Sequence, residues 1–499
     1  MDALPREGLP PGWGAASLET ICEINPSTDI SAISGDTAIT FVPMAAVGAL
    51  TNTVDTNTTR PLREITTGFT RFRSGDVIFA KITPCMENGK IALVPELPQG
   101  IGIGSTEFHV VRPKPGIDAA YVCYYLMQES FRATARSSMS GAVGQQRVPA
   151  TFLREAVMPV PPAAEQTRIV AAVNALFEEV EAGEAALARA REGLTQFRAS
   201  LLHAACTGAL TADWRAENPA DSPPEQLLAA IAEERARKVA KRYRDAETPE
   251  GPPPFDLPPS WGWATVDQLC WKIDYGSSAR CRPLPDGVPV LRMGNIQNGR
   301  LDYAELKHLP RDHNEFPDLL LERGDLLFNR TNSAELVGKT AVFEGHDRPV
   351  SFASYIVRAK AVHVRSPFLA HYINSPLGRQ WIASVMTQQV GQANVSGGRL
   401  RTLCVPVPPL LEQDEIITRV ADCLDVARDA ALGDPFVEEA AQLRQSILHA
   451  AFTGRLVPQD PADEPAAALL ARLRATPAAS RRPRARRTAT QPDLIETPA

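Results

Sequence analysis

At 499 residues the chain exceeds what one hydrophobic core usually holds, so roughly two to four domains are expected. Hydrophobic residues make up 44% and charged residues 22%, the balance of a water-soluble globular protein, and no run of roughly 18 apolar residues offers a membrane helix. The opening MDALPREGLPPGW lacks the basic-then-apolar order of a secretory leader, which makes a cytoplasmic location the expectation; the formal charge of -6 excludes an evenly basic surface but not a local basic patch.

In chain order, the first elements return later as a second copy. LPPGW at Leu9 to Trp13 recurs as LPPSW at Leu257 to Trp261, and GDVIFAKITPCMENGK from Gly75 recurs as GDLLFNRTNSAELVGK from Gly324. PVPPAAEQ from Pro159 recurs as PVPPLLEQ from Pro406, and SLLHAACTGAL from Ser200 as SILHAAFTGRL from Ser446. Four matches in one order at an offset near 247 residues describe a duplicated half-protein rather than a solenoid of short repeats, so two similar bodies with a pseudo-two-fold relation are expected. A duplicated enzyme or scaffold domain is the alternative.

Within each copy, VIFAKI and LLFNRT follow Gly-Asp turns as short apolar strands, and EFHVVRP and SYIVRAKAV continue that pattern. IDAAYVCYYLMQES and PFLAHYINSPLGRQWIASVM carry helical apolar spacing, with their aromatic stripes assigned to the core. From Ile169 the residues Ile169, Val173, Leu176, Val180, Leu187, Leu194, Phe197 and Leu201 occupy alternating a and d positions, with Gly183 and Ala190 in the remaining d sites. A helix from Glu165 to Ala205 would reach roughly 60 Å. The copy after Pro409 repeats the stripe more weakly, and Gly433-Asp434-Pro435 is expected to stop one helix and start another.

The fold class is therefore α+β. Residues 1–160 and 256–408 are expected to form two similar globular domains, 161–206 and 409–454 long helices that pair along their apolar seams, 207–255 a linker with a basic helix, and 455–499 a partly disordered C-terminal segment. The order from globular unit through PVPPAAEQTRIV, long helix, second unit and PVPPLLEQDEII to SILHAAFTGRLVPQDPADEP resembles the specificity subunit of type I restriction–modification enzymes over nearly the whole chain. The resemblance implies two target-recognition domains, each reading one half of an interrupted site in double-stranded DNA, with the two spacer helices packed as an antiparallel coiled coil that serves as a ruler between them. It implies partners too: two methyltransferase subunits docked on the helical regions, and restriction/translocase subunits joining through them, with adenine N6 as the usual modified atom. S-adenosylmethionine, ATP and Mg are then expected in those partners, and no cofactor in this chain. Changing the helix length is expected to change the gap between half-sites.

Several motifs point to catalysis only weakly. Gly338-Lys339-Thr340 imitates the end of a phosphate-binding loop but has Ser333 in place of the first Gly, and the run Gly100, Gly102, Gly104 lacks a strand–loop–helix setting. Asn25-Pro26-Ser27-Thr28 lacks the aromatic residue that would stack on a flipped base. The acids in Glu412-Gln413-Asp414-Glu415 sit at an expected helix start, where they favour the dipole. The eight cysteines include no CxxC pair, so no metal site is expected. No catalytic residue is assigned; a modification enzyme with its own active site and a coiled-coil scaffold unrelated to DNA stay as alternatives.

Reading DNA requires Arg or Lys on phosphates and Arg, Asn or Gln on base edges. Two loops per copy supply these types at matching places. The first follows the Gly-Asp strand: Lys81, Thr83, Asn88 and Lys90, against Arg330, Asn332 and Lys339. The second precedes the Pro-rich segment: Gln145, Gln146 and Arg147, against Gln392, Asn394 and Arg399. Because these letters differ while the frame is shared, the two copies are expected to read different half-sites. The basic run Arg235, Arg237, Lys238, Lys241, Arg242 and Arg244, and the tail Arg481, Arg482, Arg484, Arg486 and Arg487, could add phosphate contacts; for the tail, simple solubility is the equal alternative.

Overall fold

The Gly-Asp turn begins the strand that organises each half. In the computed structural model, which describes residues 8–142, 144–239, 255–389, 391–429 and 435–475, Gly75 adopts φ 80° and Gly324 φ 94°, a left-handed conformation that suits glycine. The Asp76 carboxylate closes the turn by accepting the Arg73 N–H at 2.7 Å, and that of Asp325 accepts the Glu322 N–H at 3.0 Å. Both acids are buried and ion-paired, Asp76 with Arg112 at 2.7 Å and Asp325 with Lys360 at 3.5 Å.

The chain divides into two compact units. The first holds the described residues up to Ala186 and those from Pro435 onward; the second holds Leu187 to Asp429. In the first unit the strand Val77–Ala80 lies in a four-stranded antiparallel sheet, ordered Cys22–Ile24, Phe108–Pro113, Val77–Ala80, Ile91–Leu93. All four residues of Val77–Ala80 are buried because both faces are covered. Val77 and Phe79 pack toward Tyr121 and Phe131, on the helices Ala119–Met127 and Glu129–Ser137. Ile78 and Ala80 pack toward Val42 and Phe72, on a second sheet ordered Thr59–Pro61, Ala38–Val42, Ile101–Gly104, Thr70–Arg73.

The second unit repeats the plan. Leu326–Asn329 lies in a sheet ordered Cys270–Tyr275, Ile356–Ala361, Leu326–Asn329, Thr340–Val342. Leu326 and Phe328 face the helical side, and Leu327 faces Leu291 and Phe352 of the smaller sheet. The register of the closing strand pair is also the same: Gly14 opposes Val160 and Ser17 opposes Val157, while Gly262 opposes Val407 and Thr265 opposes Cys404.

The shared Pro-Pro-x-x-Glu-Gln segment is a corner. Gln166 donates to the Pro161 carbonyl at 3.1 Å and accepts the Asp118 N–H at 2.8 Å; Gln413 donates to the Pro408 carbonyl at 2.8 Å and accepts the Arg365 N–H at 2.7 Å. One amide thus ties the start of a long helix to the loop before it and to the entry of the helix that follows the sheet.

The long helix runs from Ala163 to Thr207. Ile169, Val173 and Phe177 are buried in the first unit's core with Ile447, Leu448 and Ala451 of the helix Pro435–Phe452, and Leu201, Ala205 and Cys206 in the second unit's core with Ile416 and Val420 of the helix Leu410–Asp429. Within the first unit the pairing is antiparallel, Glu184 meeting Arg444 at 2.7 Å and Arg168 meeting Asp463 at 2.6 Å. The middle of the expected seam is less covered: Leu187 and Leu194 are half-buried and Phe197 is 44% exposed. Gly433 and Asp434 of the expected break lie outside the described residues.

Residues read from the sequence as a linker hold two helices, Ala212–Glu217 and Pro224–Val239, and the second packs into its unit through buried Ile231. Arg235, expected to meet phosphate, is turned inward: it is buried, with Nε donating to the Cys270 carbonyl at 3.1 Å. Lys241, Arg242, Arg244 and the five tail arginines lie outside the described residues. The segment after each Thr-Gly pair folds onto an LPP turn in its own unit. A Cβ on Gly208 would collide with Pro258, and one on Gly454 with Pro10, while the helix Ala466–Ala475 begins with the Ala466 N–H on the Gly12 carbonyl at 2.8 Å.

Candidate nucleic-acid interface

In each unit the two candidate loops meet along one seam. In the first, the Thr83 N–H donates to the Gln146 carbonyl at 3.0 Å and the Gln146 N–H to Thr83 Oγ1 at 3.2 Å. In the second, Thr331 opposes Asn394 in an antiparallel pair, and Asn394 Nδ2 donates to Thr331 Oγ1 at 3.0 Å. Segments separated by more than fifty residues are joined because the first leaves the end of the central strand beside the chain that re-enters toward the Pro-Pro corner.

The seam is built on an identical backbone ladder in the two units. The Lys81 N–H donates to the Glu107 carbonyl at 2.9 Å, and the Val148 N–H to the Lys81 carbonyl at 2.8 Å. The Arg330 N–H donates to the Tyr355 carbonyl at 2.9 Å, and the Val395 N–H to the Arg330 carbonyl at 2.9 Å. Lys81, Glu107 and Arg147 therefore stand where Arg330, Tyr355 and Asn394 stand in the other unit. Glu107 and Tyr355 are additions from the structure; in sequence they open EFHVVRP and follow Ser354 in SYIVRAKAV, two unremarkable strands.

The chemistry of the two seams differs. Arg147 makes a two-pronged pair with Glu107 at 2.9 and 2.7 Å, and the Arg147 guanidinium beside Glu107 holds its carboxyl below the usual range. Lys81 donates to the Thr106 carbonyl at 2.6 Å, and burial pulls its ammonium down. In the second unit the Arg330 guanidinium lies over the Tyr275 ring, 4.8 Å from its centroid, and Asn332 accepts the Ser333 N–H at 2.9 Å.

The remaining candidates fall into two sets. Asn88, Gln145, Gln392 and Arg399 are exposed and Gln146 is half-buried, so their side chains remain available to a ligand. Lys90 and Lys339 instead tie loops together: Lys90 Nζ donates to the Met44 and Val47 carbonyls at 3.1 and 2.9 Å, and Lys339 Nζ to Gln297 Oε1 at 3.0 Å. Helix-borne arginines brace the same turns. Arg132 donates to the Glu87 carbonyl at 2.6 Å, and Arg379 to the Val337 and Glu335 carbonyls at 2.5 and 2.8 Å.

Residues 10–188 match the family model of the type I restriction modification DNA specificity domain. The chain is 26% identical over 504 residues to the type I restriction enzyme EcoEI specificity subunit of Escherichia coli, covering 90% of this chain and 83% of that one. It is 27% identical over 475 residues to the EcoAI specificity subunit of the same organism, covering 83% and 78%. Among solved structures, a chain from a type I R-M system aligns with TM-score 0.62 at 21% identity over 90% of this chain and 99% of its own length. The HsdS subunit from Thermoanaerobacter tengcongensis aligns with TM-score 0.50 at 20% identity over 91% and 100%. These structural likenesses extend the shared fold across both units.

Proposed function

From the premise that the chain belongs to the specificity subunits of type I restriction–modification systems, we propose that each of its two units reads one half of a split site in double-stranded DNA. The observation that carries this reading is the pair of seams: one backbone ladder presenting Lys81, Glu107 and Arg147 in one unit and Arg330, Tyr355 and Asn394 in the other. A shared frame sets where side chains meet a duplex, and different side chains on it select different bases. Exposed Asn88, Gln145, Gln392 and Arg399 add amide and cationic groups beside the seams.

In this reading the chain delivers specificity and catalyses nothing itself. Two methyltransferase subunits dock on the helical regions and bring S-adenosylmethionine; restriction/translocase subunits bring ATP and Mg. The complex works in the cytoplasm, in keeping with the observation that no helix among the described residues is long and apolar enough to cross a membrane. The spacer helices set the gap, so lengthening both by one heptad is expected to change the number of bases between the half-sites in a mapped motif.

The deciding experiment maps methylated adenines across the genome of a host expressing the methyltransferase partner with and without this chain. A single split motif that appears only with the chain is the expected result. Identical maps under verified assembly would leave the coiled-coil scaffold reading in its place.

A further inference from the structure

The second unit's seam holds a cation, Arg330, that lies over a ring instead of in an ion pair with a described residue. Among the described residues, none of the Arg330 guanidinium nitrogens has a hydrogen-bond acceptor, and Nε is buried without one. Its guanidinium carbon lies over the Tyr275 ring, 4.8 Å from the centroid, and the ring is itself fixed where the Tyr275 hydroxyl accepts the Gly397 N–H at 2.9 Å. The seam nevertheless opens to solvent, since Tyr275 is 45% and Tyr355 47% exposed. At the equivalent place in the first unit both cations are already occupied, Lys81 by a carbonyl and Arg147 by Glu107.

We propose that Arg330 reads a guanine in the half-site of the second unit, and that Tyr275 is the positioning residue that presents its guanidinium. This deepens the half-site reading and rests on it. A guanidinium steadied over a ring offers two parallel N–H groups in a fixed fork, which matches O6 and N7 on the major-groove edge of guanine. A lysine carries the same charge without the fork, so Arg330→Lys separates base reading from simple attraction to phosphate. Among the described residues the equivalent cations of the first unit, Lys81 and Arg147, are both engaged, so an arginine-read guanine at this position belongs to one half-site alone.

The test uses the assembled complex with its methyltransferase subunits, duplexes carrying the motif mapped for the wild type, and variants of that duplex changed at one base pair each. Arg330→Lys is expected to cut discrimination at one G·C pair roughly ten- to a hundred-fold, leaving the other half-site as selective as before. Tyr275→Leu is expected to act in the same direction at the same pair, and Tyr275→Phe to keep most of the selectivity because the ring remains. Unchanged ratios at every position, or an equal loss in both half-sites, would overturn the assignment. Failure of the wild type to produce any split motif would instead overturn the half-site reading itself.

Discussion

Arg358→Ala is expected to be among the most damaging single substitutions in the second unit, costing about 3–5 kcal/mol, as when one partner of a buried charge group is removed. The side chain is 1% exposed. It forks onto Asp274 at 3.0 and 2.6 Å and donates to the Leu320 and Asp318 carbonyls, each at 2.8 Å, so truncation leaves both carbonyls and a carboxylate without their donor. Asp325, 3.6 Å away and nearly buried, makes the loss depend on pH. Burial already pushes its carboxyl up, opposed in part by Lys360 and Arg358. Without Arg358 that carboxyl rises further. A carboxyl raised in the folded state contributes stability that is present at low pH and lost as pH rises through its folded pKa. The gap between wild type and variant is therefore expected to be smallest below the ordinary aspartate value, about 3.9, and to widen as the pH rises above it. Urea unfolding of the two proteins across that range, with hydrogen exchange in Ile356–Ala361 reporting on this unit, checks both parts; a gap that does not vary with pH would remove Asp325 from the account.

Much of this architecture could be read from residue order because the repeated strings are structural. The Gly-Asp pairs close turns, the Pro-Pro-x-x-Glu-Gln strings make corners through Gln166 and Gln413, and the glycines after Thr207 and Thr453 admit prolines of the LPP turns. Both candidate loops in each copy were also legible, since chemistry-bearing residues fell at matching places. What sequence spacing does not carry is direction. Lys90 and Lys339 look like phosphate ligands, yet open backbone carbonyls in one copy and an amide oxygen in the other lie within reach and take their ammonium groups. Arg235 sits in a basic run but falls on the face that also buries Ile231. Glu107 and Tyr355 acquire meaning only when strand pairing sets them beside Lys81 and Arg330. The heptad stripe foretold a long helix, but not that its two ends would join different cores.

The Pro-rich corners hold one glutamate each, and their unlike surroundings lead to opposite expectations. Glu412 is 1% exposed and fully engaged: Oε2 accepts the Trp261 indole N–H at 2.8 Å, Oε1 accepts the Thr211 hydroxyl at 2.8 Å, and Arg215 donates to Oε1 as well. Glu412→Ala strands an indole, a hydroxyl and a half-buried guanidinium together, for which a loss of about 3 kcal/mol or more is expected. Glu165 occupies the same corner of the first unit and is equally buried, but its Oε1 and the Trp13 indole nitrogen have no hydrogen-bond partner among the described residues. Burial pushes its carboxyl up, opposed in part by the Arg168 cation. Such a group is a cost to the folded state once the pH passes its unfolded pKa, about 4.3, and the cost is absent below it. Glu165→Gln is therefore expected to leave the first unit as stable or more stable at pH 7 and to change nothing near pH 3.5, whereas Glu412→Ala lowers stability at pH 7. Because the chain has two units, one melting temperature would blur the comparison. Hydrogen exchange separates them: protection should fall around Thr211 to Arg215 and Trp261 in the first case and hold or rise around Gly14–Ser17 in the second. Equal losses in both corners would mean that the duplicated glutamates act alike, and that the missing hydrogen bonds around Glu165 carry no energetic weight.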